Sequence, residues 1–138
     1  MARQVPRRTV TVPVTYEIHP KHRNRTPGAS QWTVSEEDEV ATFERARERN
    51  WLLSAHGWGL HVPNDVAAYC GTAQDHRTPA FLAKFVDDTR SNVWHGYPTL
   101  NDHRDNRPPD AVVADWLAMD LLKPVVIRRL AKGQPCSL

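Results

Sequence analysis

The sequence is poor in the residues that make chemistry easy to read. It has two cysteines in 138 residues, Cys70 and Cys136. Neither belongs to a C-x-x-C pair, so the paired-thiol spacings of structural zinc and of dithiol redox sites are missing. No H-E-x-x-H occurs. The six glycines form neither G-x-x-x-x-G-K-[ST] nor G-x-G-x-x-G, which leaves a nucleotide cofactor without support. There is no G-x-S-x-G to present a nucleophilic serine. No apolar run approaches the roughly 18 residues of a membrane span, and "MARQVPRRTV" lacks the apolar core of a secretion signal. The expectation is a chain with no cofactor, no metal and no membrane contact. Its default location is the reducing cytoplasm, where two thiols stay unpaired. Eighteen basic and 16 acidic residues give a net charge of +2, too mild to imply nucleic acid on its own.

What is present fits one α+β domain over residues 1–138. Eleven prolines predict much loop, and five tryptophans bring large apolar areas. Arg3, Arg7, Arg8, Lys21, Arg23 and Arg25 face a single acid, Glu17, in the first 25 residues. Residues 1–7 read as a flexible basic arm and 134–138 as a flexible tail.

"RRTVTVPVTYEI" alternates Val10, Val12, Val14, Tyr16 and Ile18 with polar residues, the pattern of a half-buried strand. Pro13 places it at a sheet edge. Ser35 with Glu36, Glu37, Asp38 and Glu39 caps a helix, whose apolar positions recur through Trp51 and Ala55 to a stop at Gly57. "PNDVAAYCG" predicts a short helix from Asn64 to Gly71. "PAFLAKFVD" is apolar on both faces except at Lys84 and reads as a central strand, with "NVWHGYP" as its antiparallel partner. "PPDAVVADWLAMDLL" and "KPVVIRRLAKG" predict a C-terminal helix pair. The expected fold is a small antiparallel sheet of three strands, residues 8–18, 80–87 and 92–97. One long helix and the C-terminal pair cover it.

Several groups of residues are candidates for chemistry. The C-terminal pair has the outline of a helix-turn-helix, with Arg128, Arg129 and Lys132 placed to contact phosphates. Its plainer reading is a helical corner with cations at a favourable C-terminus. His19 and His22, His56 and His61, and Cys70 and His76 are pairs at spacings that do not match structural zinc. Cys70 reads as a small core residue.

The richest zone joins "AHGWGLH" (55–61) to "VWHGYP" (93–98). Each places His-Gly beside a tryptophan. If His56 or His61 comes near His95, two imidazoles with Arg90 or Arg104 and Tyr97 beside them suffice to cleave RNA without a metal. One ring takes the 2′-hydroxyl proton, the other protonates the leaving oxygen, and an arginine stabilises the phosphorane. Histidine titrates near neutrality, which suits both roles. Arg90-Ser-Asn-Val-Trp-His95 also fits R-x4-H and in that spacing resembles the short signature of HEPN-type ribonucleases. The resemblance covers six residues, and it implies ribonuclease chemistry at Arg90 and His95. In that family the motif lies in a helical bundle, whereas "NVWHGYP" reads as a strand, so the chain is not assigned to it.

Two functions follow as expectations. The first is a small cytoplasmic binding or regulatory protein. Its surface of Trp58, Trp94, Tyr97, Arg104, Arg128 and Arg129 engages a protein or RNA partner, since tryptophan, tyrosine and arginine dominate interface hot spots. The second is a metal-independent, toxin-like ribonuclease or nucleotide hydrolase. His95 is its general acid or base, and His56, His61, Arg90 and Tyr97 complete the site.

Overall fold

The computed structural model describes residues 13–138. Over them the chain is α+β, with three helices, a five-stranded mixed sheet and a three-stranded sheet. The chain order is β1 (Thr15–Tyr16), β2 (Gln31–Trp32), α1 (Glu36–Glu48), β3 (Leu52–Leu53) and β4 (His56–Leu60). There follow β5 (Gly71–Thr72), β6 (Pro79–Ala80), β7 (Leu82–Val86), β8 (Val93–Thr99), α2 (Asp110–Ala118) and α3 (Pro124–Ala131). No helix among the described residues is long and apolar enough to cross a membrane.

The alternation around Tyr16 survives as burial. Val14, Tyr16 and Ile18 are half-buried, while Pro13, Thr15 and Glu17 are exposed. Only β1 is laddered, at the sheet edge and parallel to β8. The main sheet is therefore mixed and five-stranded, in the order β1-β8-β7-β4-β3, and the expected three-stranded antiparallel sheet is corrected. Residues 8–12 of that first strand, and the basic arm 1–7, lie outside the described residues. β7 is central and β8 is its antiparallel partner, as expected. "PAFLAKFVD" is shared, because β6 belongs to the second sheet, β2-β5-β6.

The helix ends explain where the sequence misleads. Ser35 caps α1 by accepting the Asp38 amide at 3.1 Å. The helix then stops at Glu48, well short of Ala55. Asn50 takes a left-handed φ of +62°. The Asn50 amide bonds the Arg47 carbonyl, and the Trp51 amide bonds that of Ala46. That is a Schellman stop with asparagine in the glycine position. The released chain forms the β3–β4 hairpin, so "HGWGL" is a strand. α2 ends the same way on Asp120 and α3 on Gly133. The expected helix in "PNDVAAYCG" does not form. Asp65 is left-handed at φ +67°, and the segment is an irregular strap. The Ala67 amide ties it to the Leu121 carbonyl and the Cys70 amide to that of Ala80.

Residues opposite one another in paired antiparallel strands share a face. Gly57–Phe85–Gly96 and Gly59–Ala83–Pro98 therefore form one face, and His56–Val86–His95 and Trp58–Lys84–Tyr97 form the other. α1 covers the glycine face. Phe43 lies 5.3 Å from Phe85, 5.9 Å from Trp94 and 4.8 Å from Tyr16, between ring centres. A Cβ on Gly96 would stand 2.4 Å from Phe85 and one on Gly59 3.2 Å from Thr42 of α1. These glycines make room for core packing. Past α1, Trp51 meets Trp116 of α2 edge-on at 5.8 Å and donates its indole N–H to Asp115 at 3.0 Å. The segment 134–138, expected as a flexible tail, is bonded at Gln134 to Asn101 and at Leu138 to Tyr69.

Candidate functional site

The second face carries the polar groups, and its centre is a row of three donors. Trp58 gives its indole N–H to the Asn106 carbonyl at 3.2 Å. Lys84 gives a hydrogen to the Asp105 carbonyl at 2.7 Å. Tyr97 gives its hydroxyl hydrogen to the Asn106 side chain at 3.0 Å. Together they hold a single 3-10 turn, Arg104–Asn106, against the sheet. The turn separates two concavities.

The larger is a cleft of about 580 Å³ at the β8 side, lined among others by Lys21, His22, His95, Tyr97, His103 and Asn106. His22 comes from a 3-10 turn, Pro20–His22, whose loop is anchored twice. Arg23 pairs with the buried carboxylate of Glu39 on α1 at 2.8 Å and donates to the Val34 carbonyl at 2.9 Å. Tyr16 donates to the same carboxylate. The buried amide of Gln31 donates to the carbonyls of Lys21, at 2.8 Å, and Ala29, and accepts from the Arg25 amide.

His22 is 6% exposed. Its ring stacks on Tyr97 with centres 5.4 Å apart. Its Nδ1 lies 2.8 Å from the Ser30 carbonyl, which only accepts, so Nδ1 carries the hydrogen. Burial pulls its pKa below the usual histidine value, so the ring is neutral at pH 7. Its Nε2 has no hydrogen bond among the described residues. His22 is one of the residues lining the cleft.

His95 lies two residues from Tyr97 on the same face. Its Nε2 is 2.7 Å from Asp88, which is 70% exposed, and its Nδ1 is enclosed without a partner. Its ring stacks flat on His19 at 3.9 Å, and burial lowers the His19 pKa, with His95 adding to the effect. Burial raises the Tyr97 pKa, which keeps its hydroxyl a donor. His103 accepts the Asp105 amide on Nδ1 at 3.3 Å, so its neutral form carries the hydrogen on Nε2.

The expected partners of His95 lie elsewhere. His56 is exposed on β4 in the same row, two strand spacings away, roughly 10 Å. His61 makes an isolated bridge with Ala68 beyond β4 and does not line the cleft. Arg90 sits exposed in the β7–β8 turn at φ +54°, outside the cleft, and His95 is on a strand, so the R-x4-H spacing has no helical setting. Trp94 and Trp58, expected on a binding surface, are 4% and 7% exposed. Trp94 belongs to the glycine face, opposite His95 and Tyr97. Arg128 and Arg129 are exposed on α3, Arg129 donating to the Pro135 carbonyl at 3.2 Å. Cys70 is enclosed, with burial pushing its pKa up to about 12, which leaves it unreactive.

Sequence reasoning passed over His22 and His103. The signal for His22 was the His19–His22 pair, weighed only for metal. Among the described residues no group of three or more His, Cys, Asp or Glu stands ready to hold a metal ion. The smaller concavity, about 250 Å³ beyond the 104–106 turn, is lined by His56, Trp58, Lys84, Arg104, Asp105 and Arg107. No protein-family model, curated protein or solved structure matches the chain.

Proposed function

We propose that the protein is a metal-independent hydrolase of phosphodiesters, acting on RNA or a nucleotide in the cytoplasm, and that the cleft over Tyr97 is its active site. The observation that carries this reading is His22, a neutral imidazole locked through Nδ1 by Ser30 and lining a cleft that also holds His95. His22 Nε2 takes the proton of a ribose 2′-hydroxyl, and that oxygen attacks phosphorus. The bond from phosphorus to the 5′-oxygen breaks, and His95, as imidazolium, gives its Nε2 proton to the departing oxygen once exposed Asp88 releases it, which leaves His22 protonated and His95 neutral. Lys21, which lines the cleft, faces the phosphorane charge. Along β8, His95 and Tyr97 are roughly 7 Å apart, and the His22 ring stacks on Tyr97, so both imidazoles line the same cleft.

A binding role without cleavage is a second reading, favoured by one observation. Both nitrogens of His95 are engaged or enclosed in this conformation. Arg104, Arg128 and Arg129 are exposed to meet an RNA or protein partner. Incubation of labelled RNA with wild type, His22→Ala and His95→Ala in EDTA separates the two. Cleavage by wild type, lost in both variants, supports the hydrolase. Retained binding with intact RNA supports the binding role.

A further inference from the structure

The smaller pocket opens on the same sheet face as the cleft, beyond the 104–106 turn. Four bases line it, Lys84, His56, Arg104 and Arg107, against one acid, Asp105. At its base Lys84 is 2% exposed. Its ammonium lies 3.9 Å over the Trp58 ring and gives one hydrogen bond, to the Asp105 carbonyl. An ammonium has three hydrogens to place, and among the described residues no carboxylate comes within ion-pair distance of it. A buried cation without a direct ion pair is costly, and burial pulls the Lys84 pKa down to about 8, the nearby Asp105 charge opposing it only in part. An anion in the pocket removes that cost. Arg107 is occupied by the Asn101 carbonyl, at 3.2 Å. Arg104 is exposed and has no hydrogen bond or ion pair from its side chain among the described residues. Its planar guanidinium matches two oxygens of one anion.

We infer that this pocket is a phosphate-binding site, with Lys84 as the buried cation and Arg104 as the clamp at its mouth. Phosphate suits it because several oxygens meet several donors at once in a small volume. The phosphate is either free or part of an RNA strand. The strand case rests on the function proposed above. Tyr97 and Trp58 stand two strand spacings apart, roughly 10 Å, so a strand with one phosphate in the cleft sets a nearby one over Trp58.

Calorimetric titration tests it in EDTA buffer. The probes are inorganic phosphate and a short RNA with or without a 5′-phosphate. They are added to wild type, Lys84→Met, Arg104→Ala and His22→Ala. Lys84→Met keeps an apolar chain of similar length over Trp58, and Arg104 is exposed, so Arg104→Ala stands as the folded control if Lys84→Met does not fold. Phosphate binding weakened at least about tenfold in Arg104→Ala supports the site. RNA affinity lost in the same variants but kept in His22→Ala identifies the strand as the source. Tight phosphate with indifferent RNA identifies a free phosphate. Equal affinity of wild type and Arg104→Ala for both ligands, or no binding by wild type, overturns the inference. Binding that depends on Arg104 with no RNA cleavage leaves this site standing and removes the hydrolase.

Discussion

The two faces of the central sheet are built from alternate residues of the same strands and do opposite things. Under α1, Gly57, Gly59 and Gly96 lower the surface until Phe85, Phe43, Trp94 and Tyr16 close over it. One residue along each strand, His95, Tyr97, Lys84 and Trp58 face two concavities and hold a polar turn. The first face is dry and tightly packed. The second keeps buried titratable groups incompletely partnered: His95 Nδ1 and the Lys84 ammonium. Such groups cost stability, so their concentration on one face points to use there.

The contrast is broken most severely by emptying the dry face. Phe85→Ala should cost about 3–5 kcal/mol, read as a lowered denaturant midpoint. His22→Ala, on the other face, should cost about 1–2 kcal/mol for the lost Ser30 bond and lower RNA cleavage by about 10² to 10⁴. A variant that loses stability and activity in proportion contradicts the division. Gly96→Ala comes next. Its Cβ would meet Phe85 and the Tyr16 hydroxyl at 2.4 and 2.9 Å, a clash worth about 1–3 kcal/mol without direct effect on the cleft.

The polar face should also write itself into the pH dependence of stability. His22 in the unfolded chain gains its proton near pH 6.5, whereas in the fold burial delays it to lower pH. The unfolded chain then holds more protons, and stability falls as pH drops through 6.5. Lys84 acts at the other end. It loses its proton near pH 8 when folded and near 10.5 when unfolded, so its contribution rises across that window. His22→Ala should flatten the acid limb of a urea-midpoint profile and Lys84→Met the alkaline limb. The smallest effect belongs to Asn50→Gly, which relieves a left-handed residue and should raise stability by less than about 1 kcal/mol.

Much of the dry face was legible in the sequence, because period-2 alternation and an apolar run report burial directly. β7, β8, the start of α1 and the C-terminal pair follow from these signals and from Ser35, Pro124 and Gly133. The end of α1 was not legible: Asn50 serves as its stop, and the apolar spacing to Trp51 and Ala55 continues past the break by coincidence. The site was half legible. "VWHGYP" marks the correct strand, and strand parity alone sends His95 and Tyr97 to one face and Trp94 to the other. Its partners come from segments 75 residues away in the chain, namely the loop bearing His22, which the Arg23–Glu39 pair and Gln31 fix in place. No local pattern announces a loop held by long-range bonds. The tryptophans misled because a large aromatic suits an interface and a core equally well.

The most direct measurement is the chemistry of the ends that the purified protein leaves on a short RNA in EDTA. Attack by the 2′-hydroxyl at the His22 cleft predicts a 2′,3′-cyclic phosphate on one fragment and a free 5′-hydroxyl on the other, with neither formed by His22→Ala. Intact RNA, fragments ending in 3′-hydroxyl and 5′-phosphate, or unchanged cleavage by His22→Ala would contradict the account.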